Sequence, residues 1–111
     1  MSIYLTALVK SKSGKAEELK AVLQQLVIDS RKETACLQYD LHQSVTDADL
    51  FIFHEEWASE SGLQLHNTQP HISRFIQASK EITDGPVTIH KTQKVSWELL
   101  LGVQRMEKKI A

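Results

Sequence analysis

The order of two hydrophobic periodicities constrains the fold of this chain more than any other feature of its sequence. Apolar residues alternate, as they do in strands, over residues 3–9, 36–42, 50–57 and 87–95. They recur at helical spacing over residues 15–31, and again between residues 59 and 79. This order predicts an α+β, ferredoxin-like βαββαβ fold, in which a four-stranded antiparallel sheet carries two helices on one face.

The two helical segments differ in continuity. In the first, Ser13 is the predicted N-cap. In the second, Ser59 is the predicted N-cap, and Pro70 lies too far beyond it to stand in the first turn of one unbroken helix. A break at residues 67–70, followed by a new helix with Pro70 in its first turn, costs less free energy than one continuous helix with Pro70 in its interior. The inner stripe of that new helix is predicted to be Ile72, Phe75, Ile76 and Ser79.

Large residues lie on both faces of the first predicted strand, which indicates a place in the middle of the sheet. Two helices cover only one face, so a second copy of the sheet is the simplest cover for the other face. The sequence therefore predicts a homodimer. The folded domain is predicted to span residues 1–96, and residues 97–111 form a C-terminal extension that is predicted to be helical.

The composition excludes several classes of protein. Thirteen Lys and Arg residues against 14 Asp and Glu give a formal net charge of -1, so no positive field is available for nucleic acid or an anionic membrane. No apolar run approaches the roughly 20 residues of a membrane span. Cys36 is the single cysteine, which rules out an intrachain disulfide and favours a reducing interior. With no secretory signal pattern at the N-terminus, we expect a cytoplasmic protein.

Residues 51–75 contain three of the five histidines and one of the two tryptophans, and they are the predicted wall of any reactive pocket. His66 is the first candidate because imidazole transfers protons near neutral pH. A structural histidine bonded to backbone or solvent is the alternative. Phe53 and Trp57 suit either an aromatic pocket wall or the core. Glu55 shares their face and needs a partner or solvent.

A metal site is not predicted. His54, His66 and His71 are spaced by twelve and five residues, which does not match a compact pair of metal ligands. A meeting of the three histidines in the folded chain is the less favoured alternative. Cys36 is predicted to be a small buried hydrophobe rather than a reactive thiolate. The sequence contains no recognisable motif for an organic cofactor.

Several short motifs, taken in their joint order, resemble the antibiotic biosynthesis monooxygenase domain family over residues 2–96. They are Ala35-Cys36-Leu37-Gln38-Tyr39, His54-Glu55-Glu56-Trp57, Leu65-His66, and Pro70-His71 through Phe75. The chain departs from the family in having Thr34-Ala35 where Pro-Gly is common. It also has Thr6 where the haem-degrading branch has an asparagine, so the resemblance does not imply haem ligation.

The resemblance implies a dimeric α/β barrel and, in some members, cofactor-independent oxygenation of quinols or polyketide-like aromatics by molecular oxygen, without metal, flavin or haem. Under this interpretation His66 is the base or proton relay, and Trp57 and Phe53 form the pocket wall. The catalytic residues would be His66, Trp57 and Tyr39. The substrate-binding residues would be Phe53, Glu55, Asn67 and Phe75.

The sequence leaves two other functions open. Another branch of the same family isomerises a small phosphorylated carbonyl compound, which calls for clustered Arg or Lys near the pocket. Arg74 is the only basic residue in residues 51–75. The third possibility is a non-catalytic dimer that binds flat ligands without converting them.

Overall fold

The computed structural model describes residues 1–95 and confirms the predicted ferredoxin-like α+β fold. In chain order the elements are β1 (Ile3–Lys10), α1 (Ala16–Arg31), β2 (Cys36–Gln43), β3 (Leu50–Trp57), α2 (Glu60–Asn67), α3 (Pro70–Ser79) and β4 (Thr88–Thr92). The predicted extension over residues 97–111 lies outside the described residues.

The four strands form one antiparallel sheet in the order β2-β3-β1-β4, which places β1 in the interior as predicted. The register sets Leu5 opposite Glu55 across β1 and β3, and Tyr39 opposite Glu55 across β2 and β3. Residues directly opposite each other project from the same face of a sheet. A tyrosine, a carboxylate and a leucine therefore form one row on the face that α1 and α3 cover.

The core lies between that face and the helices. Alternate residues of β1 and β3 point into it, and α1 adds an apolar stripe at helical spacing. The most enclosed side chains are Trp57, Phe51, Leu19, Leu23 and Val9. Glu55 is the one charged residue among the buried side chains of these strands, so the alternation of β3 carries a carboxylate into the core.

Two local predictions are wrong. Ser13 does not cap α1, because Lys15 is the N-cap residue and no side chain caps the helix. Gly14 separates Ser13 from the helix with φ of +79°, a left-handed conformation that glycine adopts without steric cost. The alternation over residues 36–42 also predicts that Leu37 shares one face with Tyr39 and Leu41. The register of β2 instead shifts between Cys36 and Gln38, and Leu37 is 56% exposed. Such a bulge turns the side chain of the extra residue out of the alternation.

The second helical segment is broken as predicted. Ser59 caps α2 through its Oγ, which accepts a hydrogen bond from the Gly62 N–H at 3.1 Å, and Pro70 stands in the first turn of α3. The inner stripe of α3 is narrower than predicted, because Ile76 is half exposed. The last strand is also shorter, covering five of the residues predicted, and Ile89 within it is 58% exposed.

The other face of the sheet has no helix over it within residues 1–95. It carries half-buried side chains of β1 and β3, among them Tyr4, Leu8 and Ile52, and the exposed histidines His42, His54 and His90. The predicted homodimer would cover this face. None of the helices formed by residues 1–95 is both long and apolar enough to cross a lipid bilayer.

Candidate functional site

A cavity of about 460 Å³ lies between the covered face of the sheet and the second helical segment. Most of its lining is apolar and comes from β1, α3 and β4 together with Phe53. Its polar lining consists of four side chains, Tyr39, Glu55, His66 and Asn67. All four were predicted from the sequence as site residues, and the fold brings them around one space.

His66 is buried, and its ring is held by a carboxylate that lies far away in sequence. Its Nδ1 is 2.6 Å from Oε2 of Glu33, and Nε2 of His71 lies 2.8 Å from the same oxygen. An ionised carboxylate only accepts hydrogen bonds, so Nδ1 of His66 and Nε2 of His71 both donate to Glu33. The tautomer with Nδ1 protonated leaves Nε2 of His66 as the nitrogen that can accept a proton from a molecule in the cavity.

Burial lowers the pKa of His66, since desolvation disfavours the imidazolium, and the hydrogen bond that His66 donates to Glu33 opposes that shift. Burial has the larger effect and favours a neutral imidazole in the wall of the cavity. Such a group is suited to proton transfer in either direction.

Trp57 packs against the ring of His66 and does not itself line the cavity. The indole is 0% exposed, and its centroid lies 4.3 Å from that of the His66 ring with an interplanar angle of 39°. Its Nε1 donates a hydrogen bond of 2.9 Å to Oε1 of Glu55. The predicted place of Trp57 in the pocket wall is therefore corrected: this side chain fixes the orientation of two groups that do line the cavity.

Two cavity side chains ionise less readily than usual. Burial raises the pKa of Glu55 to about 7, although the indole hydrogen bond works in the opposite direction. Burial, followed by the nearby charge of Glu55, raises the pKa of Tyr39 far above its ordinary range. Tyr39 therefore keeps its proton and is available as a hydrogen-bond donor to a bound ligand.

Of the remaining predicted site residues, one lies at the base of the cavity and two lie toward its open side. Phe53 is buried at the base of the cavity, with its ring centroid 5.2 Å from that of Tyr39. Phe75 is half-buried, and Asn67 is exposed at the end of α2. The half-exposed side chains of Ile76 and Ile89 also line the cavity, so its mouth lies between α3 and β4.

Glu33 is the residue that sequence reasoning missed. It lies in the turn between α1 and β2, where no periodicity indicates which way a side chain points. Together with His71 it lines an outer groove of about 960 Å³, which also contains Lys32, Arg74 and the start of α2. The cluster of Glu33, His66 and His71 therefore stands between this groove and the inner cavity.

The spacing argument against a compact pair of metal ligands fails for His66 and His71. On one continuous helix, side chains five residues apart point in different directions. The break between α2 and α3 changes the direction in which the later side chain points, so both imidazole rings reach Glu33. Their three donor atoms lie within 4.8 Å of one another, which is a spacing suited to holding a metal ion. His54 lies apart on the other face of the sheet, where its ring centroid is 5.1 Å from that of His42.

Cys36 contributes no reactive thiolate to the site. It is half-buried at the start of β2, and burial together with the charges of Glu33 and Glu55 raises the pKa of its thiol to about 11. A thiol with such a pKa is protonated near neutral pH and reacts slowly as a nucleophile. The prediction of a small buried hydrophobe is wrong in its burial, because Cys36 is only half-buried.

Comparisons with known proteins agree with one another. The family described as antibiotic biosynthesis monooxygenase matches residues 2–78. The Bacillus subtilis (strain 168) protein YcnE is 34% identical over 91 residues, which cover 82% of this chain and 96% of YcnE. The crystal structure of PA3566 from Pseudomonas aeruginosa, also 34% identical, has a TM-score of 0.82 and covers 86% of this chain and 95% of that chain. SO0527 from Shewanella oneidensis, at 26% identity, has a TM-score of 0.80 over 84% of this chain and 90% of its own. The chain therefore belongs to the antibiotic biosynthesis monooxygenase family.

Proposed function

We propose that the protein is a cofactor-independent monooxygenase that oxidises a quinol or a polyketide-like aromatic small molecule with molecular oxygen. Membership of the family supports a monooxygenase-like function. The relative YcnE is named as a proposed monooxygenase, and its name gives no substrate. The observation that carries the proposal is the buried imidazole of His66, which lines an apolar cavity while Glu33 holds its other ring nitrogen.

The cavity suits a flat aromatic molecule. Its volume of about 460 Å³ falls within the range of roughly 300–1,000 Å³ that is usual for small-molecule sites. Phe53, Phe75 and Ile72 provide apolar surface for a ring, and Tyr39 and Asn67 provide polar groups that can orient its oxygen atoms. A hydroxylated ring placed in this way would lie beside His66.

In the proposed reaction, Nε2 of His66 accepts the proton of a phenolic hydroxyl group. The resulting phenolate passes an electron to oxygen, and a carbon–oxygen bond then forms to give a peroxide anion. The imidazolium returns its proton to the outer oxygen atom, which gives a hydroperoxide. The ring carbon that carries this group then loses its hydrogen as a proton, the oxygen–oxygen bond breaks, and the departing hydroxide takes up that proton and leaves as water. One oxygen atom stays on the ring, and the ring supplies the four electrons that reduce oxygen. A quinol and one oxygen molecule thus give a hydroxylated quinone and one water molecule.

The charge distribution supports this function over isomerisation of a phosphorylated carbonyl compound. Among residues 1–95, no Lys or Arg lines the cavity, so a phosphate there would lack a cationic partner. Lys32 and Arg74 line the outer groove instead, and Nη2 of Arg74 lies 3.7 Å from Oδ2 of Asp29.

The test is oxygen uptake by metal-stripped, flavin-free protein against a panel of naphthoquinols, anthrols and catechols. We expect uptake well above the autoxidation rate for one ring class. Loss of the base in His66→Ala should lower the rate by roughly 10²- to 10⁴-fold. The matched control is His54→Ala, which removes an exposed imidazole from the other face of the sheet and should keep the wild-type rate.

Each other outcome points to a different function. Full turnover by a folded His66→Ala protein would remove His66 from the role of base. Ring binding without oxygen uptake across the panel would indicate a non-catalytic ligand-binding protein. Conversion of a phosphorylated carbonyl compound in the absence of oxygen, with competition by inorganic phosphate, would indicate an isomerase.

A further inference from the structure

We propose that Glu33, His66 and His71 form a binding site for a divalent transition-metal ion such as Zn²⁺. Oε2 of Glu33, Nδ1 of His66 and Nε2 of His71 lie within 4.8 Å of one another. Two imidazoles and one carboxylate are a donor set that Zn²⁺ takes when a further coordination position stays open to water or a ligand. This site is separate in chemistry from the oxygenation proposed above, which needs no metal.

The three donors come from three parts of the chain that the fold holds together. Glu33 follows α1, His66 lies in the last turn of α2, and His71 lies in the first turn of α3. Their side chains are 13%, 5% and 11% exposed, respectively. Stacking on Trp57 fixes the ring of His66. Donors that are enclosed and already oriented lose little freedom when an ion binds.

The present distances are those of hydrogen bonds, at 2.6 Å and 2.8 Å. Ligand atoms about 2.0–2.1 Å from a tetrahedral ion lie roughly 3.3 Å from one another. An entering ion would therefore replace the two hydrogen bonds with metal–ligand bonds and move the Glu33 oxygen roughly 0.7 Å further from Nδ1 of His66 and roughly 0.5 Å further from Nε2 of His71. Glu33 and His71 can make that adjustment because both border the outer groove of about 960 Å³. The groove also provides the route of entry and water for the open position.

Binding would change the state of His66. The metal takes the lone pair of Nδ1, so the single proton of a neutral imidazole must move to Nε2. Nε2 then donates to the cavity instead of accepting from it. This consequence rests on the proposed function: the metal-loaded protein cannot deprotonate a phenol at His66, and the metal-free form is the active one.

The test is calorimetric titration of the full chain with Zn²⁺ after chelator treatment, with Co²⁺ absorption as a second probe of coordination. We expect saturable binding of one ion per chain. Glu33→Gln and His71→Ala should each weaken binding by more than the roughly 10- to 100-fold that loss of an outer-shell partner costs. Circular dichroism checks that each variant is folded, and His71→Asn replaces His71→Ala if the smaller side chain disturbs α3.

Two control variants remove other potential ligands. His42→Ala removes one ring of the histidine pair on the other sheet face, and Cys36→Ser removes the thiol nearest in sequence to Glu33. Both should bind Zn²⁺ like the wild type. The proposal is overturned if the folded wild type shows no saturable binding, if Glu33→Gln and His71→Ala bind normally, or if His42→Ala abolishes binding. Because the measurement needs no turnover, the metal site and the oxygenation can fail separately.

Discussion

Glu55 is a carboxylate that the alternation of β3 carries into the core, where it is 6% exposed. Its Oε1 accepts a hydrogen bond from the indole of Trp57, but burial has the larger effect and raises its pKa to about 7 from an ordinary 4.5. Below about pH 7 the folded protein therefore holds this side chain mainly in its neutral form. Such a group connects the chemistry of the cavity to the stability of the fold.

We expect Glu55→Gln to remove part of the pH dependence of stability. Below pH 4.5 the carboxyl group is protonated in both the folded and the unfolded state, so its ionisation does not lower the stability. As the pH rises from 4.5 through about 7, the unfolded state releases the proton first, so the wild type loses stability, and above that range the full penalty of a buried charge is present. A pKa shift of this size corresponds to a loss of roughly 3 kcal/mol at most in the free energy of unfolding. Glutamine carries no charge and still offers an oxygen to the Trp57 indole.

Denaturant unfolding of the wild type and Glu55→Gln at pH 5 and pH 8.5 measures this effect. The variant should gain stability over the wild type as the pH rises. Glu56→Gln is the matched control, because the neighbouring carboxylate lies on the other face of the sheet. A difference between the wild type and Glu55→Gln that stays constant with pH would contradict the burial argument.

At the scale of elements, the approach of α2 to the turn before β2 positions His66 opposite Glu33. The Ala58 N–H donates to the Ala35 carbonyl oxygen at 2.9 Å, and α2 then passes directly over Ala35. A Cβ atom at Gly62 would overlap the Cβ of Ala35. Glycine at this position thus allows the close approach that the site requires.

Gly62→Ala should therefore destabilise the protein. Overpacking costs about 1–3 kcal/mol, whereas the higher helix propensity of alanine returns roughly 1 kcal/mol at most. We expect a net loss on the order of 1 kcal/mol in the free energy of unfolding, measured by denaturant titration. Gln64→Ala, an exposed change in the same helix, should stay within about 0.5 kcal/mol of the wild type. Equal or higher stability of Gly62→Ala would show that the turn yields to α2 without cost.

The elements show what the sequence could predict and what it could not. The break before Pro70 was predictable because proline removes a backbone donor and ends a helical turn. Glu33 was not, since a turn residue shows no periodicity and its partners lie 33 and 38 residues away in the chain. The bulge that exposes Leu37 was also not predictable. A β-bulge is a feature of how two strands pair, and the residue types of one strand do not reveal it.

At the scale of the whole molecule, the sheet presents one face that residues 1–95 leave without a helix. Leu8 and Ile52 lie opposite each other in the register of β1 and β3, which places an apolar pair on the two central strands of this face. Thr88 and His42 flank the pair on the neighbouring strands, and Thr6 and His54 form the next row on the same face. An apolar centre with a polar surround is the usual composition of a protein interface. We therefore propose that a second copy of the chain packs on this face, as the sequence predicted.

We expect the wild type to have the mass of a dimer in light scattering coupled to size-exclusion chromatography. Ile52→Asp should shift the protein toward the monomer, because a carboxylate at the centre of the interface would be buried without a partner. Val45→Asp is the matched control, since Val45 is fully exposed in the turn between β2 and β3, away from the central strands. Circular dichroism should show that both variants are folded. A monomeric wild type, or an Ile52→Asp protein that remains dimeric, would show that the two sheets do not meet at this face.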